Sequence, residues 1–444
     1  MGIKAVKFGG SSVADGIQLK KIKDIITSDP DRRYVVVSAP GKRFADDNKI
    51  TDLLFMCKAQ ADHRIPYDQL FQVIADRYRA IKYNLDIDVD LDSRFDEIRT
   101  ALANGCSDDY IVSRGEYLSA VLIAAYLGYD FVDTKDLIIF NSKGRLLAEE
   151  TNEALAAELS KHECAVLPGF YGGYKDSGEI CVFSRGGSDV TGSLVARAVN
   201  ADVYENWTDV SGLLMADPRI VKNPKPIEYI SYMELRELSY MGASVLHEDA
   251  VFPVRQANIP INIRNTNAPD APGTIITTEK SLRQIQTSGR RVFSGIAGKQ
   301  PFTVISIYKS MMNSEVGFVR RALAVLEDLG ISFDHIPTGI DSFSVVISKD
   351  AIDDQLDDVL QAFEQQLHPD DISVIEDIAL IAVVGLGLSQ TVGVASAITT
   401  ALSDKGINIR MLNQGFSEIN VIVGVEAKDF NTSIRAIYQA FVKE

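Results

Sequence analysis

The sequence predicts an α/β region over about the first two-thirds of the chain, followed by two related α+β modules. Short apolar, β-branched runs alternate with helix-like segments in the first region. This pattern is typical of a mainly parallel sheet with helices on both faces. In the last third, the sequence repeats itself with a constant offset.

The strands of the first region are expected at residues 3–8, 34–38, 164–167, 201–204 and 259–263. Helix-like segments separate them, for example at residues 118–127 and 152–159. Several of the strands lead directly into turns that contain glycine or serine. Because ligands of open α/β sheets bind at such strand ends, we expect a functional site there.

A domain boundary is expected between the two regions. Residues 265–278 are rich in Pro, Asn and Thr, and the polar stretch 279–291 follows them. Such clusters between patterned segments are typical of loops and linkers.

The internal repeat is ungapped. Adding 76 to a residue number maps Ile305 onto Ile381, Gly317 onto Gly393, and Gly330 onto Gly406. Each copy is expected to contain a strand, a glycine turn, an amphipathic helix, a glycine stop and a two-stranded hairpin. Gly330 and Gly406 fit the left-handed residue that ends a helix. Chance similarity is the alternative, and the constant offset disfavours it.

The charge balance excludes several classes of partner. The chain has 444 residues, with 45 basic and 61 acidic side chains and a formal net charge of −16. It contains no basic block, so we expect no binding to nucleic acids or to anionic membranes.

The four cysteines are scattered and fit neither a disulfide framework nor a structural zinc site. The five histidines have no metal-ligand spacing, and we expect no protein-held metal. No apolar run of about 18 residues and no signal-peptide layout is present, so a cytoplasmic protein is expected.

The first predicted strand leads into the first candidate site, which consists of Lys7, Gly9, Gly10 and Ser11. Two glycines after a strand allow close approach of the backbone to a ligand, and successive amides can bind phosphate oxygens. The lysine adds a mobile positive charge. A simple tight turn is the alternative, and the Walker A order of residues is absent.

A second candidate site spans residues 183–189. Arg185 offers a planar fork for a carboxylate or phosphate, and Gly186-Gly187 expose their amides. Ser188 or Asp189 could instead cap a helix over residues 191–198. Capping would not explain the arginine and both glycines.

Smaller candidates are residues 38–41, Thr51, 113–116 and 208–212, each after an apolar run or near an expected helix start. Taken singly, each fits a cap or a turn. The segment 384–390 resembles a dinucleotide-binding turn, but Gln390 replaces its third glycine and the segment lies inside the repeat.

Together these motifs resemble the aspartate kinases. They are KFGGSSV at 7–13, SRGE at 113–116, FSRGGSDVTGSLVA at 183–196, WTDVSGL with DPR within 207–219, VLH at 245–247, and Asn413-Gln414-Gly415 with SEIN at 417–420. The resemblance implies an α/β three-layer sandwich of the amino-acid kinase type over residues 1–285. It also implies two α+β ferredoxin-like ACT domains, at 290–376 and 377–444.

The resemblance implies transfer of a phosphoryl group from MgATP to L-aspartate, giving 4-phospho-L-aspartate and ADP. This is the first step towards lysine, threonine and methionine. The acceptor carboxyl has a reference pKa of about 3.9 and needs no general base at neutral pH. It needs neutralisation of charge, and Mg²⁺ held mainly by ATP oxygens would contribute to it.

The resemblance also implies roles for individual residues. Lys7 and Asp189 would be catalytic. Aspartate would be bound by Ser38, Thr51, Glu116, Arg185 and Ser188, with Arg185 on its α-carboxylate and Glu116 on its α-ammonium. The nucleotide would be bound by Lys7, Gly9, Gly10, Ser11, Thr208, Asp209, Leu214 and Arg219.

Two positions depart from the commonest pattern of the family. Leu214 stands in place of a tyrosine, and Ser244 in place of a lysine. Lys222 or Lys225 is a hypothetical replacement for the missing cation.

The paired ACT domains imply feedback inhibition by an end-product amino acid and assembly into a homodimer or a dimer of dimers. The effector residues implied by the resemblance are Met312, Ser314, Gly317, Phe318, Val319, Asp334 and Thr338. We favour lysine over threonine as the effector. The alternatives are another amino-acid kinase of the same fold, or a catalytically silent amino-acid sensor.

Overall fold

The computed structural model describes residues 2–184, 186–243, 246, 248–285, 292–415 and 419–442. The chain forms two compact units. Unit 1 contains Met1–Leu213, Pro226–Leu235 and Val245–Ser288, and unit 2 contains Leu214–Lys225, Arg236–Ser244 and Gly289–Glu444. The domain boundaries expected from the sequence remain predictions.

The first region is built from both strands and helices. The strands are β1 (Lys4–Phe8), β2 (Arg32–Val37), β3 (Asp130–Phe131), β4 (Ile139–Phe140), β5 (Ala165–Pro168), β6 (Tyr171–Tyr174), β7 (Ile180–Val182), β8 (Val203–Thr208), β9 (Tyr229–Ser231), β10 (Ile261–Asn265) and β11 (Thr274–Thr277). The helices are α1 (Gly16–Thr27), α2 (Ile50–Asp62), α3 (Asp68–Leu85), α4 (Asp92–Ala103), α5 (Asp108–Leu127), α6 (Ala148–Leu159), α7 (Gly187–Ala198), α8 (Tyr232–Tyr240), α9 (Glu248–Gln256) and α10 (Glu279–Ile285).

The main sheet has the strand order β3-β5-β2-β1-β8-β10-β11-β9 in the described part of the chain. All neighbours are parallel except β10 and β11. Val6 and Phe8 of β1 join a buried cluster with α1 to α5, and α7 packs against the opposite face. This confirms the predicted three-layer α/β sandwich.

Strands β8 and β10 both begin later in the chain than the sequence predicts. The strand expected at 201–204 runs over Val203–Thr208, and the one expected at 259–263 runs over Ile261–Asn265. Asn200 and Asn258, directly before the expected starts, have left-handed backbones with φ of 48° and 57°, so the chain is only leaving a turn at those points.

The last third forms one sheet with helices. Its elements are β12 (Gly295–Tyr308), α11 (Phe318–Asp328), β13 (Ser342–Ser348), α12 (Lys349–Ile352), α13 (Leu356–Leu367), β14 (Asp371–Val384), α14 (Val394–Ser403), β15 (Met411–Asn413), β16 (Asn420–Glu426) and α15 (Phe430–Phe441). The strand order is β13-β12-β14-β16-β15, and all neighbours are antiparallel.

The first strands of the two repeat copies, β12 and β14, pair with each other in the sheet. The beginning of β12, residues 295–299, pairs with residues 380–384 of the second copy. Gly330 and Gly406 have φ of 70° and 67°, which confirms the left-handed helix stops. The hairpin is formed by β15 and β16 in the second copy. In the first copy, isolated bridges from His335 and Thr338 to β13 replace its first strand.

No helix in the described ranges is long and apolar enough to cross a membrane.

Candidate active site

The candidate site lies where β1, β2 and β8 end, at the beginning of α7. Lys7 of β1 is in register with Val36 of β2 on one side and Asn206 of β8 on the other. The turns that follow these strands therefore lie next to one another, as expected for a ligand site in an open α/β sheet.

Lys7 and Asp189 form a largely buried ion pair. Lys7 is 7% exposed, and its Nζ lies 2.6 Å from Oδ1 of Asp189. A lysine is rarely buried to this extent unless a partner compensates for the lost hydration. The pair unites the two strongest motifs of the sequence in one place.

Ser188 and Asp189 do not cap a helix, so the capping interpretation is wrong. The helix begins at Gly187, its N-cap is Gly186, and no side chain of the described ranges caps it. Both residues lie in the first turn of α7, where the helix dipole favours the negative charge of Asp189. Ser188 is buried against Gly169, which follows β5.

The two glycines after β1 lead into a short 3₁₀ turn, Gly10–Val13. The first amides of such a turn have no partner within it, so Gly10 and Ser11 offer donors to an anion. The Cα of Gly9 lies close to the lysine, since a Cβ built there would be 3.4 Å from Nζ of Lys7. Phosphate oxygens fit this combination of cation and amides.

The loop after β2 packs directly on that turn. The amide of Gly41 donates to the carbonyl of Gly10 at 2.8 Å, and a Cβ at Gly41 would lie 2.7 Å from the carbonyl carbon of Gly10. Only glycine fits this close approach. The amide of Ser38 donates to the carbonyl of Phe8, so Ser38 also lies at the end of β1.

Thr51 lies in the first turn of α2 and is partly buried. The preceding residue, Ile50, donates its amide to the carbonyl of Pro40 at 3.2 Å. This bond connects the start of α2 to the loop that carries Ser38.

Glu116 is a buried acid without a full set of partners. Its Oε2 makes no hydrogen bond within the described residues. The residue belongs to the middle part of α5 and is buried there. Burial raises the pKa of Glu116 to about 8, against the opposing effects of the Ala39 amide and Arg114. A carboxyl with one oxygen left without a partner among the described residues is suited to receive an ammonium group.

The segment 113–116 is not at a helix start, as the sequence suggested, but in the interior of α5. The guanidinium of Arg114 is packed on the rings of Tyr110, Tyr117 and Tyr171, at 4.7, 4.6 and 5.4 Å from their centroids. These contacts place Arg114 in a structural role and fix the helix turn that carries Glu116.

The loop between β2 and α2 is braced by Arg77 of α3. Its guanidinium donates to the carbonyls of Gly41 and Asn48 and lies 3.1 Å from the carboxylate of Asp47. Arg43 bonds the same carboxylate and holds the pKa of Asp47 well below its usual range. Sequence analysis missed this brace, because its residues are far apart in the chain.

Of the residues assigned to the nucleotide, Thr208 ends β8 and donates to the carboxylate of the exposed Asp209 at 3.2 Å. Leu214 and Arg219 belong to unit 2, where the exposed guanidinium of Arg219 bonds Asp217. Arg185 and Ser244 lie outside the described residues, as do Val245 and His247 of the VLH motif and Ser417 and Glu418 of the SEIN motif.

The proposed effector residues lie in unit 2, and five of them lie at or just before the start of α11. Met312 and Ser314 form a 3₁₀ turn, and Gly317, with φ of 81°, precedes Phe318 and Val319 of the helix. Thr338 forms an isolated bridge with Phe343.

Asp334, another of these residues, is partly exposed and already has a partner. Its Oδ1 accepts a hydrogen bond of 2.5 Å from the hydroxyl of Tyr240 in α8. Burial and the hydrogen bond to Asp334 raise the pKa of Tyr240 to about 12.

Two residues beside these sites were missed by the sequence analysis. Asn206 donates its side-chain amide to Oδ1 of Asp189 at 2.7 Å, and Tyr240 holds Asp334. A polar residue inside a buried strand was the available signal for Asn206. No sequence signal connects Tyr240 with Asp334.

Comparison with protein families agrees with this architecture. Residues 2–265 match the amino acid kinase family, and residues 381–441 match an ACT domain. Aspartokinase 3 of Bacillus subtilis (strain 168) is 39% identical over 454 residues, which cover 99% of this chain and 98% of that protein.

Solved structures show the same likeness. The crystal structure of Clostridium acetobutylicum aspartate kinase is 49% identical with a TM-score of 0.90, over 100% of both chains. Escherichia coli aspartokinase III was solved with aspartate and ADP, and with lysine and aspartate. Both structures are 26% identical with a TM-score of 0.73, covering 100% and 99% of this chain and 100% of the other. The chain therefore belongs to the aspartokinase family of amino acid kinases, and it is an aspartate kinase.

Proposed function

We propose that the site at the ends of β1, β2 and β8 transfers the γ-phosphoryl group of MgATP to the side-chain carboxylate of L-aspartate. The products are 4-phospho-L-aspartate and ADP. The observation that carries this assignment is the buried ion pair of Lys7 and Asp189. Lys7 is followed in the chain by the turn that offers the amides of Gly10 and Ser11. A cation and amide donors at a strand end are suited to a transferring phosphoryl group.

The chemistry requires neutralisation of charge. The acceptor is an anion, and so is the γ-phosphoryl group that it approaches. Lys7 supplies a positive charge at a largely buried position, where electrostatic stabilisation is strong. When bound, Mg²⁺ would neutralise part of the charge of the ATP phosphates.

Recognition of aspartate needs groups for its ammonium and its α-carboxylate. Glu116 is suited to the ammonium because its Oε2 is buried and has no hydrogen-bond partner among the described residues. Ser38, Thr51 and Ser188 would donate to the substrate from the surrounding turns. The α-carboxylate is assigned to Arg185 on the resemblance alone.

The remaining nucleotide contacts rest on the resemblance to the family. Thr208 ends β8 and Asp209 follows it, at the edge of the sheet where the neighbouring strand β1 also ends. Leu214 and Arg219 stay predictions, and so does the replacement of the missing cation by Lys222 or Lys225. Unchanged KM for ATP in Lys222→Ala and Lys225→Ala would remove that replacement.

Aspartate-dependent release of ADP, measured with Lys7→Met, tests the catalytic assignment. We expect kcat to fall about 10²–10³-fold, as for loss of one strong transition-state contact. Lys58→Met is a matched control, since Lys58 is also 7% exposed and paired with an acid, Asp62. Full activity of Lys7→Met would overturn the assignment.

The ACT region would bind an end-product amino acid, with lysine favoured over threonine. Asp334 offers an acid, and the start of α11 offers helix amides, and the two together would suit a zwitterion that carries a second positive charge. The Escherichia coli relative was solved with lysine. Equal activity with and without millimolar lysine would contradict this proposal.

We propose that the assembly and the metabolic role also follow the family pattern. We expect a homodimer or dimer of dimers formed through the ACT domains, and a place at the first step towards lysine, threonine and methionine. Light scattering coupled to gel filtration tests the assembly, and a monomer at micromolar concentration would exclude it. The cytoplasmic location remains a prediction from the sequence.

A further inference from the structure

Asn206 is a buried polar residue at the centre of the catalytic sheet. It is 4% exposed, and it is the direct neighbour of Lys7 in the parallel pairing of β8 with β1. Side chains alternate along a strand, so Asn206 and Tyr204 share the face that α7 covers. There the hydroxyl of Tyr204 donates to the backbone carbonyl of Asp189 at 3.1 Å.

Asn206 and Lys7 bind the same atom. Nδ2 of Asn206 lies 2.7 Å from Oδ1 of Asp189, and Nζ of Lys7 lies 2.6 Å from that oxygen. A carboxylate in an ion pair only accepts hydrogen bonds, so the amide must present its NH₂ group. Asp189 is therefore held by two adjacent strands, through one charged and one neutral donor.

The strand that carries Asn206 is fixed from its other face. Glu205 is 2% exposed and accepts bonds of 2.8 Å from both Arg32 and the indole of Trp207. The guanidinium of Arg264 lies 4.6 Å from the centroid of the Trp207 ring. A donor on such a braced strand has little freedom to follow a moving partner.

We propose that Asn206 is a positioning residue for phosphoryl transfer. It holds the carboxylate of Asp189 in place independently of Lys7, so that the ammonium of Lys7 stays directed at the phosphoryl group. This inference rests on the proposed role of Lys7. With only the lysine as partner, the carboxylate would turn with it, and misplacement of a catalytic group by a fraction of an ångström is costly.

Asn206→Leu removes the donor while keeping a side chain of similar size. We expect kcat to fall about 10–100-fold, with KM for aspartate and for ATP changed less than about two-fold. Asn262→Leu on the adjacent strand β10 is the matched control, and its kcat should equal that of wild type. Wild-type kcat in Asn206→Leu, or a loss carried by KM alone, would overturn the proposal.

Asn206→Asp adds a readout that a merely structural role would not produce. Near neutral pH, the introduced carboxylate faces Asp189 and repels it, so kcat should be lower than in Asn206→Leu. Once protonated, the new carboxyl can donate again, and its kcat relative to wild type should rise about ten-fold between pH 8 and pH 6. A ratio independent of pH would contradict the proposal, even if Asn206→Leu does not fold.

Lys7→Met, measured in the same assay, distinguishes failure of the proposed role of Lys7 from failure of the proposed role of Asn206. If Lys7→Met retains activity, the proposed function of the lysine fails. If Lys7→Met is inactive while Asn206→Leu is normal, only the role of Asn206 fails.

Discussion

We assign two carboxyl groups of this enzyme to the ammonium group of an amino acid. The two differ in burial and in their hydrogen-bond partners. Glu116 in the catalytic region is 5% exposed, and its Oε2 has no partner within the described residues. Asp334 in the regulatory region is partly exposed, and Tyr240 donates a hydrogen bond to it.

This difference determines what each ligand must displace. On these assignments, aspartate would have to replace a proton on Glu116, because burial raises the pKa of that carboxyl to about 8. The effector would have to replace the hydroxyl of Tyr240 on Asp334. The affinity for aspartate should therefore depend strongly on pH. The affinity for the effector should depend on whether the Tyr240 hydroxyl is present.

Glu116→Gln should give the largest effect. It removes the counter-ion of the substrate ammonium, and losing one partner of a buried charge pair costs about 3–4 kcal/mol. We expect kcat/KM for aspartate to fall about 10²–10³-fold, while KM for ATP stays within about two-fold. Steady-state kinetics with each substrate varied checks this result.

Asp109→Asn is the matched control for that substitution. Asp109 also lies on α5, and burial raises its pKa too, but it bonds the amide of Val182 rather than facing the site. Its kcat/KM should be unchanged. Equal losses in both variants would mean that Glu116 acts only through the stability of α5.

The pH dependence of aspartate binding comes next in size. Below pH 8, Glu116 of the free enzyme is mainly protonated and neutral, and it must lose its proton to pair with the ammonium. We expect kcat/KM for aspartate to rise about ten-fold per pH unit up to pH 8 and then to level off. Glu116→Gln should abolish the slope, and a wild-type profile flat from pH 6 to pH 8 would contradict the assignment.

The fold was largely predictable from patterns, and the deviations have physical causes. Val203–Thr208 was placed too early because Glu205, Asn206 and Thr208 look unlike a buried strand. Glu205 is tolerated there because Arg32, Lys4 and Arg264, from distant parts of the chain, compensate for its charge. Such long-range compensation leaves no local trace.

Site residues that belong to sequence motifs could be predicted. Contacts between residues from distant segments of the chain could not. Lys7 and Asp189 were identified together through the resemblance, and they do pair. Gly115 favoured a turn because glycine costs about 1 kcal/mol inside a helix, yet α5 contains it. The second donor to Asp189 depends on which face of β8 meets α7, which spacing alone does not determine.

Asp334→Asn tests the regulatory half of the comparison, with a smaller expected effect. Its counterpart in the second copy, 76 residues later, is Arg410, whose guanidinium lies 3.9 Å from Glu426. Only the first copy thus offers an acid at this position. We expect the half-inhibiting concentration of lysine to rise about 10–30-fold, as for loss of a partly exposed charge contact, with kcat unchanged.

Arg410→Gln is the control for Asp334→Asn, and it should leave inhibition by lysine as in wild type. A larger effect of Arg410→Gln than of Asp334→Asn would assign the effector to the second copy instead.

Tyr240→Phe should produce the smallest change, and in the opposite direction. The phenol keeps its proton below about pH 12 and so donates to Asp334 at every working pH. Removing the hydroxyl frees Asp334 for the ligand. Because the pair is partly exposed, its net contribution is about 0.5–1 kcal/mol, and the half-inhibiting lysine concentration should fall about two- to five-fold. Weaker inhibition in Tyr240→Phe would show that the hydroxyl assists the effector rather than competing with it, and the contrast between Glu116 and Asp334 would then disappear.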